Sequence, residues 1–190
     1  RVEINIDWSQ EAEDLRKAIE PYELDAMEQG VAKGEGATGI SSSDTIKYKI
    51  SAATRQRLDF VVDEANKTTK KQINDEINRG IDAGESVDGI KGRIKGYFNK
   101  ASNRADTIAR TEITAQLNGG LLLQYDDVGV KKKEWLTNID GFERDSHRLI
   151  NHEQVDINKN FSNGLAMPGA FGAPEETINC RCTCLPVLEE

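Results

Sequence analysis

The sequence predicts an α+β protein: an N-terminal helical arm of long helices, then a small loop-rich mixed module with a short antiparallel sheet. Two observations carry this. Apolar residues recur at helical spacing as far as about Val128, and beyond it the chain turns rich in Asn, Gly, Asp and Pro, as irregular loops are. Within that second part, Lys131 to Thr137 and Ile178 to Val187 read as short strands. The charged fraction of 31%, above the usual quarter, suits well-solvated helices. The expected parts are residues 1–44, an N-terminal helix and flexible connection; 45–128, a helical region; and 129–190, the mixed module.

Each element has its own signal. Asp7 or Ser9 can cap the first helix, acidic residues fill its first turn, and Trp8, Leu15, Ile19 and Met27 mark its apolar side. Pro21 should kink or end it. Gly30 to Asp44, with Gly34, Gly36 and Gly39 before a serine run, reads as a flexible connection and a possible hinge. From Thr45 to Arg79 the spacing of Ile46, Ile50, Leu58, Val61, Val62, Ile73 and Ile77 predicts a long amphipathic helix, with a break near Asn66 to Thr69. Gly84 stops it, and Ser86 caps the next helix, which places Val87, Ile90, Ile94 and Phe98 on one face. A further helix is expected from Ser102 or Asn103, with Ala105, Ala109, Ile113, Leu117, Leu121 and Tyr125 as a buried stripe. Gly119 and Gly120 interrupt that stripe at about 1 kcal/mol each against alanine, a cost that close packing can justify. In the module, Trp135 should lie on a buried strand face, and Cys180, Cys182 and Cys184 should share one face of the closing strand.

Composition excludes several classes. At 190 residues the chain can bury a core without disulfide staples. No run approaches the roughly 18 apolar residues of a spanning helix, and the start at Arg1 with no apolar signal segment leads us to expect a piece of a longer chain with no membrane partner. A net charge of -8 argues against a general nucleic-acid coat. Cysteines two apart in an extended strand sit at about the 6.8 Å Cα limit for a bridge, so the three thiols are read as reduced or as metal ligands. A Gly-rich phosphate loop, paired catalytic carboxylates and a serine elbow are all missing from the sequence.

Three constellations could carry chemistry. His147, Cys180 and Cys182 offer three of the four ligands of a tetrahedral zinc site, with Asp140, His152 or Cys184 as the fourth; buried packing thiols and loop histidines are the competing reading. A nucleophilic variant makes Cys180 or Cys182 the attacking thiolate and His147 its base, oriented by Asp140 or Asp145. Arg110 and Glu112, two apart on a helix, cannot pair with each other and are read as a clamp to the second half, with Asp140, Asp145 or Glu134 as candidate partners. Lys91, Arg93, Lys95, Lys100 and Arg104, with only Asp106 opposing in the run, could touch DNA phosphates without sequence preference, or simply form a solvated helix face.

Ile108-Ala109-Arg110-Thr111-Glu112, Trp135-Leu136-Thr137, Arg144-Asp145-Ser146-His147, Met167-Pro168-Gly169 and Ile178-Asn179-Cys180-Arg181-Cys182-Thr183 occur in the order of the phage Mu protein F-like head morphogenesis family. The chain resembles that family from roughly Thr45 to Val187. It departs in having Arg144-Asp145 where Thr-Arg is frequent, and in carrying the additional Cys184. The resemblance implies a non-enzymatic minor head protein, inside the capsid near the portal vertex and in the host cytoplasm during assembly, assisting capsid assembly and DNA packaging or delivery. Portal protein and major capsid protein are its implied partners, with phage DNA a non-specific contact. The family's histidine and Cys-Arg-Cys run map onto His147, Cys180 and Cys182, and its Arg-Thr-Glu triplet onto Arg110, Thr111 and Glu112. The rival readings are a metal- or cysteine-dependent hydrolase acting during infection and a DNA-binding packaging factor.

Overall fold

A computed structural model describes residues 8–188, with backbone alone for 8 and 97–105. Three long helices come first: α1 (Trp8–Thr38), α2 (Ile46–Asp82) and α3 (Val87–Asp127). The module follows as β1 (Lys132–Leu136), α4 (Asp145–Leu149), β2 (Gln154–Asp156), α5 (Pro174–Thr177) and β3 (Thr183–Val187). This is the expected α+β class. The helices are longer than their local signals suggest. The first runs through Pro21 and three glycines to Thr38. The second does not break at residues 66–69; the Thr68 and Thr69 hydroxyls donate back to the Glu64 and Ala65 carbonyls within the continuous helix. No separate helix starts at residue 102; α3 is continuous from its Ser86 cap, whose hydroxyl accepts the Gly89 N–H. Gly84, at φ +66°, makes the stop before it.

The chain forms two compact units, residues 1–19 with 56–106, and residues 20–55 with 107–190. In the first, Leu58, Val61, Val62, Ile73 and Ile77 are buried, and the Arg16 guanidinium pairs with Asp59. Gly80 lies so close to Ile90 that a Cβ there would meet its side chain at 2.6 Å.

In the second unit, Met27, Val31 and Ile50 form one apolar cluster with Leu24, Ile46, Ala53 and Leu123 around it. Here the glycines are seams, not hinges. A Cβ on Gly30 would stand 2.2 Å from the Leu117 carbonyl, and one on Gly120 would stand 2.1 Å from the Met27 carbonyl, so α1 and α3 touch backbone to backbone. The expected flexible connection is therefore helical to Thr38, and the turn after it is pinned. Asp127 accepts the Ser43 N–H at 2.6 Å and pairs with Lys49 at 3.0 Å, while the Gln124 amide donates to Ile40 O at 3.0 Å.

The expected stripe on α3 is only half right. Leu121 and Tyr125 are buried, but Ile113 is exposed. Steps of four residues advance about 40° beyond a full turn each, so a stripe that long walks around the helix. The buried side holds Ala115, Gln116 and Asn118 instead.

The sheet has order β2-β1-β3, both pairs antiparallel. Trp135 lies opposite Cys184 and Leu136 opposite Thr183, so β1 and β3 present Trp135 and Cys184 to one core with Tyr125, Ile150, Phe161 and Leu165. Pro186 falls on an edge strand, where a missing N–H is tolerated. Lys133, on the same face as Trp135, is also buried. Its ammonium donates to Ile157 O at 2.8 Å and Ala166 O at 2.6 Å, and burial lowers its pKa.

Candidate metal centre

His147, the third residue of the one-and-a-half-turn α4, is buried in the second unit with its Nδ1 toward two thiols. Cys182 Sγ lies 3.4 Å from that nitrogen and Cys180 Sγ 3.9 Å. These are close to the ligand-to-ligand spacings of a tetrahedral zinc site, about 3.5 Å for N to S with bonds near 2.0 and 2.3 Å. The local chain explains how two cysteines so near in sequence converge. The strand expected over Ile178 to Val187 begins only at Thr183, and Asn179 adopts φ +57°, turning the segment before it. Cys180 and Cys182 thus escape the stretched geometry of a strand step.

The ring is held from every side. Its backbone carbonyl accepts the Thr137 hydroxyl at 2.7 Å, and that hydroxyl accepts the Trp135 indole N–H at 3.1 Å. Trp135 meets the imidazole edge to face, centroids 5.1 Å apart. Glu176 Oε2 sits 3.0 Å from Nε2, off the line a hydrogen bond needs, so that buried nitrogen has a carboxylate neighbour but no hydrogen-bond partner. A carboxylate on the far nitrogen is the usual outer partner of a metal-bound histidine. Both thiols are buried, and they differ in acidity. The neighbouring Cys180 thiol, with His147 and the Asn138 backbone, favours the Cys182 thiolate and lowers its pKa, while Cys182 and burial raise that of Cys180.

The donor set fits a soft, thiophilic ion such as zinc: one imidazole nitrogen and two sulfurs, mutually within 4.8 Å and all buried. None of the three expected fourth ligands joins them. Asp140 pairs with Arg181 at 2.6 Å, His152 with Glu134 at 2.7 Å, and Cys184 stands in the core across from Trp135, where burial pushes its thiol up to about 12. Asp140, expected as a ligand, thus stands on the Arg181 guanidinium and outside the group of three donors.

Helix α3 fastens the cysteine segment through residues that the sequence reading largely passed over. The Asn118 amide donates to Cys182 O at 3.1 Å, and its oxygen accepts the Cys184 N–H at 3.0 Å. Thr111, between the two expected clamp residues, accepts the Asn179 N–H at 3.0 Å. Glu112 is buried; Arg110 is exposed and lines a cleft instead of meeting a carboxylate. The acids proposed for it are placed elsewhere: Asp140 on Arg181, Glu134 on His152 and Gln154, Asp145 4.0 Å from Arg148. A polar residue immediately before Gly119 and Gly120 was the available sign for Asn118; nothing local marks Glu176.

The basic candidates are largely spent. Arg93 is held by Glu85 at 2.5 Å and Glu76 at 3.5 Å, which raises its pKa, and Lys91 pairs with Asp88 at 3.3 Å. Lys95 is exposed. The side chains of Lys100 and Arg104 lie outside the described residues. Two of the five candidates are thus opposed by acids besides Asp106, and of these only Glu76 comes from another helix.

A small sheet pinned to a long helix, with a buried histidine-dithiol knot at the joint, is the build of a structural module. The profile described as "Phage Mu protein F like protein" matches residues 71–185, and the chain belongs to that family of phage head proteins. Over 126 residues it is 28% identical to "NAD(+)--arginine ADP-ribosyltransferase EFV" of Enterococcus faecalis, covering 63% of this chain and 26% of that protein. Over 155 residues it is 24% identical to an "Uncharacterized protein" of Haemophilus influenzae, covering 79% of this chain and 32% of that one. The chain thus spans about a quarter to a third of the curated relatives it matches. No solved structure matches it significantly.

Proposed function

We propose that this chain is the head-morphogenesis part of a phage minor head protein, a non-enzymatic virion component at or near the portal vertex that assists capsid assembly and DNA packaging or delivery. The single observation that carries the reading is the family match over residues 71–185, which spans all of α3, β1, β2 and the histidine-dithiol knot, and ends inside β3. Portal protein and major capsid protein are its partners in this reading. When bound, zinc at His147, Cys180 and Cys182 cross-links α4 to the segment before β3. The Enterococcus relative's named activity concerns a protein about four times the matched length and is not carried over. Affinity purification of the full-length protein from phage-infected cells tests the assignment: portal protein should be recovered with it, and recovery of neither portal nor capsid protein would overturn it.

A further inference from the structure

On the outer side of the same cysteine segment, side chains alternate. Cys180 and Cys182 point into the core, while Asn179 and Arg181 line a cleft of about 450 Å³ with Arg110, Phe142 and Arg144. Three guanidiniums meet there in a chain of net charge -8. Two are positioned by the fold: Arg144 donates to the Ile178 carbonyl, and Arg181 is bound to Asp140 and lies 5.4 Å from the centre of the Phe142 ring. Arg110 reaches the cleft from α3 and pairs with no carboxylate among the described residues. The lining residues hold three guanidiniums and no carboxylate, and Asp140 pairs with only one of them, Arg181, so the lining carries surplus positive charge. Its one apolar wall is the Phe142 ring, 82% exposed.

We infer that this cleft docks an acidic segment of a partner protein, one carrying a carboxylate beside an apolar side chain. Arginine forks match carboxylates bidentately, and exposed aromatic residues with arginine are the side chains that protein interfaces concentrate. A nucleic-acid strand fits less well. The acidic chain as a whole opposes a polyanion at long range, while a single carboxylate in the cleft feels chiefly the three guanidiniums. Arg181 stands between two candidate metal ligands, so the knot fixes where one guanidinium emerges.

The proposal rests on the head-protein reading only for supplying a reason to have a partner; recovery of portal protein tests that reading, and the following experiment tests the cleft alone. A random-peptide library is selected on the wild-type chain, with counter-selection on the Arg110→Ala/Phe142→Ala double variant, whose two side chains are exposed. Anisotropy titration of the enriched peptides follows, in competition with inorganic phosphate and a single-stranded oligonucleotide. The expected result is enrichment of peptides with Asp or Glu beside Leu, Ile or an aromatic residue. Their affinity should fall about tenfold or more in the double variant, and again when the peptide acid is changed to its amide. No enrichment, enrichment indifferent to the variant or the acid, or displacement by an oligonucleotide that binds the cleft more tightly would each overturn it.

Discussion

His147 shows what a single residue can and cannot announce. Its residue type and the nearby Cys-Arg-Cys run are sufficient to nominate a metal site, and the structure brings the three donors together. The fourth ligand was not legible, because Asp140, His152 and Cys184 are each claimed by a partner far along the chain. Zinc should bind the purified protein at one ion per chain by mass spectrometry of the metal content, and Cys182→Ser should abolish it; retention of zinc by that variant would refute the ligand set. Asn118 is the second residue with a sharp consequence. It bonds both sides of Cys182 and Cys184, so Asn118→Ala strands a buried carbonyl and a buried N–H, which costs about 2–4 kcal/mol in denaturant unfolding. A loss below about 0.5 kcal/mol would show that the helix does not hold the strand. Glu143 supplies a pH effect. Its own backbone N–H, the Arg148 guanidinium, and the Gly141 and Asp140 N–H groups hold its carboxyl at about 2, well below the usual carboxylate range. A depressed pKa gives stability that is present above the unfolded value and lost as pH falls toward the folded one. Hydrogen-exchange protection of residues 140–148 should therefore fade between about pH 4.5 and 2 in the wild type. Glu143→Gln should show weaker protection at pH 7 and a shallower acid loss; identical profiles would contradict the assignment.

At the scale of elements, spacing located the helices and the first strand, and failed at their ends. Glycine was the main cause. Read locally, Gly30, Gly34 and Gly36 mark a flexible stretch, yet all three lie inside α1, and Gly30 is there because Gly120 and Leu117 of α3 pass too close for a side chain. That reason is tertiary and cannot be seen in a window of sequence. The same fact separates two substitutions that local propensity treats alike. Gly36 has nothing within 4 Å of a built Cβ, so Gly36→Ala should stabilise the protein by about 0.5–1 kcal/mol. Gly30→Ala must force two helices apart and should destabilise by about 2 kcal/mol or more, despite an equal propensity gain. Thermal melts of the two variants check this, and a shift of the same sign in both would show that the seam is not tight. The late start of β3 has a comparable cause. Asn179 in the left-handed region turns the chain, and asparagine tolerates that conformation well, but its place just before the cysteines acquires meaning only with Thr111 receiving its N–H.

At the scale of the molecule, one length of α3 serves two ends. Residues 107–127 supply the glycine seam against α1 and the polar contacts to the cysteine segment, so the helical part and the sheet of the second unit are organised by the same element. Net charge was informative about class but not about place: the chain is acidic, Lys91 and Arg93 of its expected basic run are paired with Asp88, Glu85 and Glu76, and three arginines, Arg110, Arg144 and Arg181, gather instead at one cleft. The order of motifs along the chain was the most legible feature of all, since it led to the family that the match over residues 71–185 establishes. The most direct test of the head-protein account is quantitative mass spectrometry of gradient-purified heads from the phage that produces this protein. The account predicts peptides from this chain at a few copies per particle, in constant ratio to portal protein across the gradient; their absence from heads, with the protein recovered free of particles, would contradict it.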